Sequence, residues 1–218
     1  MDTTASRLVR NSLHAGWIAP VWFALVVWLA GRREGYATAL RAMAELGAPD
    51  APHALWFNLA GFIVTGLLLL GFAMALEAAM ARAGAGRGGR LGTGLLMVSA
   101  LAFAAQGVFV FDPSEPDGAA SQRHASALAF ALLGLMAGAM FVAASVRRLP
   151  GWQALALLGP ALAALLLLFL AQPPQSWLPA LEGRAGHAQR LVLAVYFLWF
   201  ALASLIALAR QRARRAHG

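Results

Sequence analysis

"ALWFNLAGFIVTGLLLLGFAMAL", Ala54 to Leu76, runs for 23 residues without a charge. A helix on the surface of a soluble domain is apolar along one stripe only, whereas a segment apolar on all sides and about twenty residues long matches the hydrocarbon thickness of a bilayer. The pattern recurs at Leu13–Ala30, Leu91–Phe111, Ala125–Val146, Gly151–Ala171 and Leu191–Ala209, none of which contains Asp, Glu or Arg. The expected fold is therefore all-α: a polytopic six-helix transmembrane bundle, one domain over residues 1–218.

Composition agrees with this. Hydrophobic residues make up 61% of the chain and charged residues 12%, about half the charged share of a soluble domain. The net charge of +8 is carried by Arg alone, scattered over short segments between apolar runs with no aromatic interleaving, so nucleic acid is not an expected partner. With no cysteine, disulfides, thiolate catalysis and thiolate metal ligation are excluded. Arg7 and Arg10 precede the first apolar run as they would in a signal peptide, but that run ends in "WLAGRREGY" without a small-x-small cleavage site, and it reads as the first span.

Assigning the connections alternately to two sides places 11 of the 17 Arg with the N-terminus, the 77–90 and 147–150 segments and the C-terminal tail. The positive-inside bias then puts both termini in the cytoplasm. Of the nine carboxylates, all but Asp2 and Glu77 fall on the opposite, outer face. Trp17, Trp56, Trp152 and Trp177 lie near span ends, as an interfacial aromatic belt requires. In the first outer connection, Leu40, Met43 and Leu46 are spaced as the apolar stripe of a helix over Tyr36–Leu46 lying on the bilayer surface, ended by Gly47 and Pro49. Ala127, Ala131, Gly134 and Gly138 form a small-residue stripe on span four, read first as packing within the bundle.

Three histidines, His53, His124 and His187, stand at the outer ends of spans two, four and six, each followed by Ala. A helix N-terminus disfavours imidazolium, and neutral imidazole is the metal-binding form. With Asp112, which ends span three where Pro113 disfavours further helix, they compose a possible zinc site of three His and one carboxylate. The other reading is that of ordinary interfacial histidines, since no tight ligand spacing is present. Antiparallel pairing of spans three and four brings Asp112 and His124 together as an acid–base pair, with the 113–123 stretch between them a solvated connection; the alternative for Asp112 is a capping role that orders the loop. Asn58 and Thr65 share one face of span two, and Ser99 and Gln106 one face of span three, so both faces point into the bundle, to bond other helices or to line a cavity below the outer site.

The stretch "LGAPDAPHALWFNLAGFIVTGLLLLGFAMAL" (Leu46–Leu76), with "FVFDP", the His of span four and "QRLVLAVYFLW" opening span six, resembles the domain of unknown function 998 family, six-helix bacterial integral membrane proteins. Its shared points are Gly47, Pro49, Pro52, Asn58, Asp112, His124 and Arg190. The resemblance implies a multi-pass protein of a bacterial cytoplasmic membrane and carries no activity with it.

Two functions are consistent with these residues. One is a hydrolase or transferase acting on a lipid-linked substrate at the outer leaflet, with Asp112 and His124 catalytic, His53 and His187 as further ligands, and Asn58, Gln106, Arg123 and Arg190 binding substrate. The other is a non-catalytic lipid-binding, sensing or assembly protein whose outer loops recognise a lipid or small amphipathic ligand. A coupled transporter ranks below both, because no ionisable residue lies at mid-span.

Overall fold

The structure, a computed structural model, describes residues 3–216 and the side chains of residues 7–213; Asp2 and the side chains of Arg214 and Arg215, which enter the charge balance above, lie outside these. Among the described residues all regular structure is helical. Helices α1 (Thr3–Leu13) and α2 (Ala15–Ala30) join at His14 into the first long segment. The second comprises α3 (Ala54–Phe57), a π-helical turn (Asn58–Ile63) and α4 (Val64–Arg82). Four single helices follow: α5 (Gly86–Ala105), α6 (Ala119–Val146), α7 (Gln153–Ala171) and α8 (Ala185–Ala216). All six segments are long and apolar enough to cross a membrane. The chain is a multi-pass membrane protein.

Each segment packs on the next in sequence, and α8 closes the ring against α1 and α2. The long connections, residues 31–53, 106–118 and 172–184, therefore gather at one end, and the short ones with most of the arginines at the other. Inside the ring the contacts are largely aromatic. Phe23 of α2, Phe62 of the π turn, Phe103 of α5 and Phe197 of α8 meet with ring centroids 5.1–5.9 Å apart, and Tyr196 stacks on Phe103 at 5.6 Å. The hydroxyl of Ser99 donates to the Ala131 carbonyl at 2.6 Å and accepts from the Tyr196 hydroxyl at 3.0 Å, so α5, α6 and α8 share one buried polar knot.

Small residues set the helix spacings. Gly134 and Gly138 lie against the backbone of α5, where Gly92 faces Gly138, so the span-four stripe is an intramolecular packing face. Gly66 abuts α5 equally closely, and Gly159 abuts the carbonyl of Ala139.

Several local expectations are corrected. Helix α6 begins at Ala119, before Arg123, because the exposed arginine lies on the rim of the helix with its charge turned outward and need not end it. His124 thus sits one turn inside α6 and does not open it. Residues 36–46 form no surface helix: after turns over 37–41 comes a short 3-10 turn, Met43–Gly47, with Leu40 exposed and Met43 and Leu46 buried. Trp152 is buried in the core, unlike the exposed Trp17, Trp56 and Trp177.

A β-carbon on Gly66 would lie 2.7 Å from the carbonyl oxygen of Ala100 and 2.6 Å from Ala104 Cβ. Gly66→Val is therefore expected to push α4 off α5 and to destabilise the bundle by about 1–3 kcal/mol. Thermal unfolding of the purified protein in detergent measures this, with Gly71→Ala, which faces open space, as the comparison.

Candidate functional site

The end that carries the long connections holds two polar assemblies. The first surrounds His124. Helix α5 stops at Ala105, leaving carbonyls at its C-terminal end without intrahelical partners. The Nδ1 of His124 lies 2.8 Å from the carbonyl oxygen of Phe109 and 3.1 Å from that of Gln106. Carbonyls only accept, so Nδ1 carries the hydrogen and Nε2 the lone pair. The ring is buried, edge-on to Phe62 at 5.6 Å and near Phe111 at 6.0 Å. His124 is in effect the C-terminal cap of α5, delivered from α6.

Asp112 belongs to the same loop but faces the other way. Its Oδ1 accepts from the Ser114 amide at 2.9 Å and the Ser114 hydroxyl at 2.6 Å, which forms an Asx-type turn across Pro113. Its backbone is tied to α6, since its N–H donates to Ser121 Oγ at 3.0 Å. The Ser114 hydroxyl, and then the Ser114 N–H, hold the exposed Asp112 carboxyl below the usual carboxylate range. No hydrogen bond joins Asp112 to His124. The 113–123 stretch is largely exposed, as a solvated connection should be, but its end belongs to α6, with residues 119–123 helical and Ser121 buried.

Asn58, in the π turn, donates from Nδ2 to the Gly47 carbonyl at 2.9 Å, and Gly47 has no room for a side chain because Asn58 Oδ1 occupies the place. This pins the 3-10 turn onto span two. Gln106 is buried, and Arg123 is exposed on α6. His53 is exposed and takes a left-handed conformation (φ 60°) ahead of α3, while His187 is half-buried in the first turn of α8. Among the described residues no three His, Asp or Glu side chains converge where one metal ion could bind. His53, His124, His187 and Asp112 are thus not brought together as a zinc shell.

The second assembly centres on Arg190. Its Nη1 donates to the carbonyls of Thr38 at 2.7 Å, Gly186 at 2.8 Å and Arg41 at 3.2 Å, and its Nη2 to the Tyr36 hydroxyl at 2.7 Å. That hydroxyl donates in turn to the Ala42 carbonyl at 3.0 Å, and the His187 N–H donates to the Ala39 carbonyl at 3.2 Å. The carbonyls of Thr38, Ala39 and Arg41 thus turn to α8, which is why these residues do not wind into a helix of their own. Burial pushes the Tyr36 hydroxyl above the ordinary tyrosine range against the opposing charge of Arg190, so Tyr36 remains a donor. Arg33 also lies over the Tyr36 ring, at 5.2 Å, and donates to the Glu45 carbonyl.

Beneath this assembly a groove of about 830 Å³ runs between α2 and α8. Ala24 and Trp28 line one wall, Ala194 and Ala201 the other, and Phe23 and Phe197 the floor; Arg32, Thr38 and Arg190 stand at its mouth. Toward the opposite end the two helices close up, since Gly16 sits against Ser204 and the carbonyl of Phe200. Arg190 was legible from the sequence as a binding candidate. The groove was not, because it arises from alanines on two helices far apart in the chain.

A family model described as a protein of unknown function (DUF998) matches residues 17–206. The chain belongs to the DUF998 family. The match takes in α2 through most of α8, including both polar assemblies and the groove of this DUF998 protein. No curated protein and no solved structure matches the chain.

Two outcomes test these assignments. Asp112 has a folded pKa below its unfolded value, so the Ser114 turn is complete above the ordinary carboxylate pKa of about 4 and is lost as pH falls through the lower folded value. Amide exchange at Ser114 is expected to accelerate over that acid range in the wild type and to be fast throughout in Asp112→Ala. Arg190→Ala leaves the carbonyls of Thr38 and Arg41 without their cation and is expected to cost about 2 kcal/mol. Limited proteolysis should then cut residues 36–47 first.

Proposed function

We propose that this DUF998 protein is a non-catalytic lipid-binding protein of a bacterial cytoplasmic membrane, oriented with both termini in the cytoplasm and the long connections outward, and that its ligand occupies the groove between α2 and α8. The observation that carries this reading is the groove itself. Its walls are apolar, its volume lies in the range of small-molecule sites, and polar groups stand only at one end, an arrangement that suits an amphiphile with one polar head. The size of the gap follows from Ala24 facing Ala194 and Ala201, where larger residues would let the helices interdigitate.

The hydrolase or transferase reading has less support. An acid–base pair needs both groups to face one reacting centre. Here the Asp112 carboxylate serves Ser114 at the surface, and the His124 N–H serves the end of α5. A zinc-dependent version needs ligands that meet, and none of the described His, Asp or Glu groups do so.

Native mass spectrometry of the full chain released from mild detergent is expected to show retained lipid. Ala24→Phe, placed on the exposed wall of the groove, should remove that lipid while leaving helical circular dichroism unchanged. Equal retention in the two proteins contradicts the proposal.

A further inference from the structure

The charges at the groove mouth have no counter-ion. Among the described residues the ion pairs are Arg41 with Glu45, at 3.7 Å, and Arg90 with Glu77, at 3.7 Å; neither includes Arg32, Arg33 or Arg190. Arg190 is surrounded by carbonyl and hydroxyl oxygens, which orient the guanidinium without neutralising it. Arg32 is exposed, lies over the Trp28 ring at 5.0 Å, and borders the groove beside Arg190. Arg33, next in the chain, holds one nitrogen on the Glu45 carbonyl while its Nη1 is buried with no partner. The Glu45 carboxylate, in the same connection, is already engaged, with Oε1 accepting from the Ala42 N–H at 2.8 Å and Oε2 facing Arg41. A cluster of guanidinium groups at the mouth of an apolar groove is stabilised by an anion there, and the fork of N–H donors on arginine matches a phosphate better than a carbonyl or hydroxyl head.

We propose that the groove selects an anionic, phosphate-bearing membrane lipid, with one acyl chain lying between α2 and α8 and the phosphate held at the mouth by Arg32 and Arg190. This rests on the reading of the groove as a lipid site and adds the chemistry of the head. The roles of the two arginines differ. Arg190 positions the mouth, because its donors are already engaged in joining residues 36–42 to α8, and it adds charge. Arg32 supplies the exposed fork at the groove edge. A head without net charge would leave the two guanidinium groups uncompensated in a low-dielectric rim, where such charges are costly. Phosphatidylcholine, whose phosphate is neutralised by its own ammonium group, should therefore bind less well than phosphatidylglycerol with the same chains.

The test is a titration of the full chain in detergent with each of these two lipids, read by native mass spectrometry. Phosphatidylglycerol is expected to bind about tenfold more tightly than phosphatidylcholine, the effect of one charge-assisted contact. Arg32→Gln should reduce that preference without lowering phosphatidylcholine binding, and Arg123→Gln, on the exposed face of α6 and outside the groove lining, should leave it intact. Ala24→Phe should weaken both lipids together. Equal binding of the two lipids by the wild type, with both lost in Ala24→Phe, overturns the head-group inference and leaves the groove reading standing. Binding that Ala24→Phe does not alter, or a dimer that Ala24→Phe dissociates, overturns the groove reading itself, the dimer by making a second copy of the chain the occupant.

Discussion

In a bilayer no water is at hand for a backbone carbonyl that loses its helical partner, and this structure is organised around that constraint. At several places where a helix breaks, widens or ends, a side chain from another element supplies a donor. Ser204 donates to the Leu13 carbonyl where α1 gives way to α2, at 2.6 Å, and Trp22 donates to the Ala60 carbonyl in the π turn, at 2.7 Å. His124 serves the end of α5, Asn58 the carbonyl of Gly47, and Arg190 those of residues 38 and 41. Each of these bonds crosses between segments distant in sequence, so each also fixes how two elements sit. Among the described residues, the Thr65 hydroxyl and the Trp199 indole N–H are buried without such a partner.

Function is constrained by the same economy of polar groups. A chain with so few of them uses most of those near the membrane for backbone capping, and a side chain engaged in that way is poorly placed to turn over a substrate. His124 and Asn58 are cases in point. Arginines without an ion-pair partner also stand at the groove mouth, where the first and last spans separate. Binding chemistry therefore concentrates where architecture has least need of the side chains.

The fold class was legible because lipid exposure and charge exclusion are properties of composition over some twenty residues, and each of the six runs carries the signal independently. Residues bearing on the site were legible in part. The buried faces of Asn58, Thr65, Ser99 and Gln106 follow from helical periodicity combined with polarity, and all four are buried. Their partners do not follow, because a hydroxyl or amide can serve any carbonyl that the fold brings near it. The histidine coincidence shows the same limit: His53, His124 and His187 belong to the same end of the bundle, but that end is wide enough to keep them apart. The stripe of Leu40, Met43 and Leu46 misled because periodicity presumes that a segment bonds to itself, whereas residues 38–42 bond to α8.

By itself, the sequence determined the count of spans, their apolar character and the uneven division of arginine and carboxylate between the two ends, since each depends on residue type alone. Tertiary structure decided which carbonyl each polar side chain serves, that α8 closes a ring against α2, and that alanines on those two helices leave a groove beneath unpaired arginines. Those features are relations between segments up to 191 residues apart in the chain, and only the packed bundle sets the distances on which they rest.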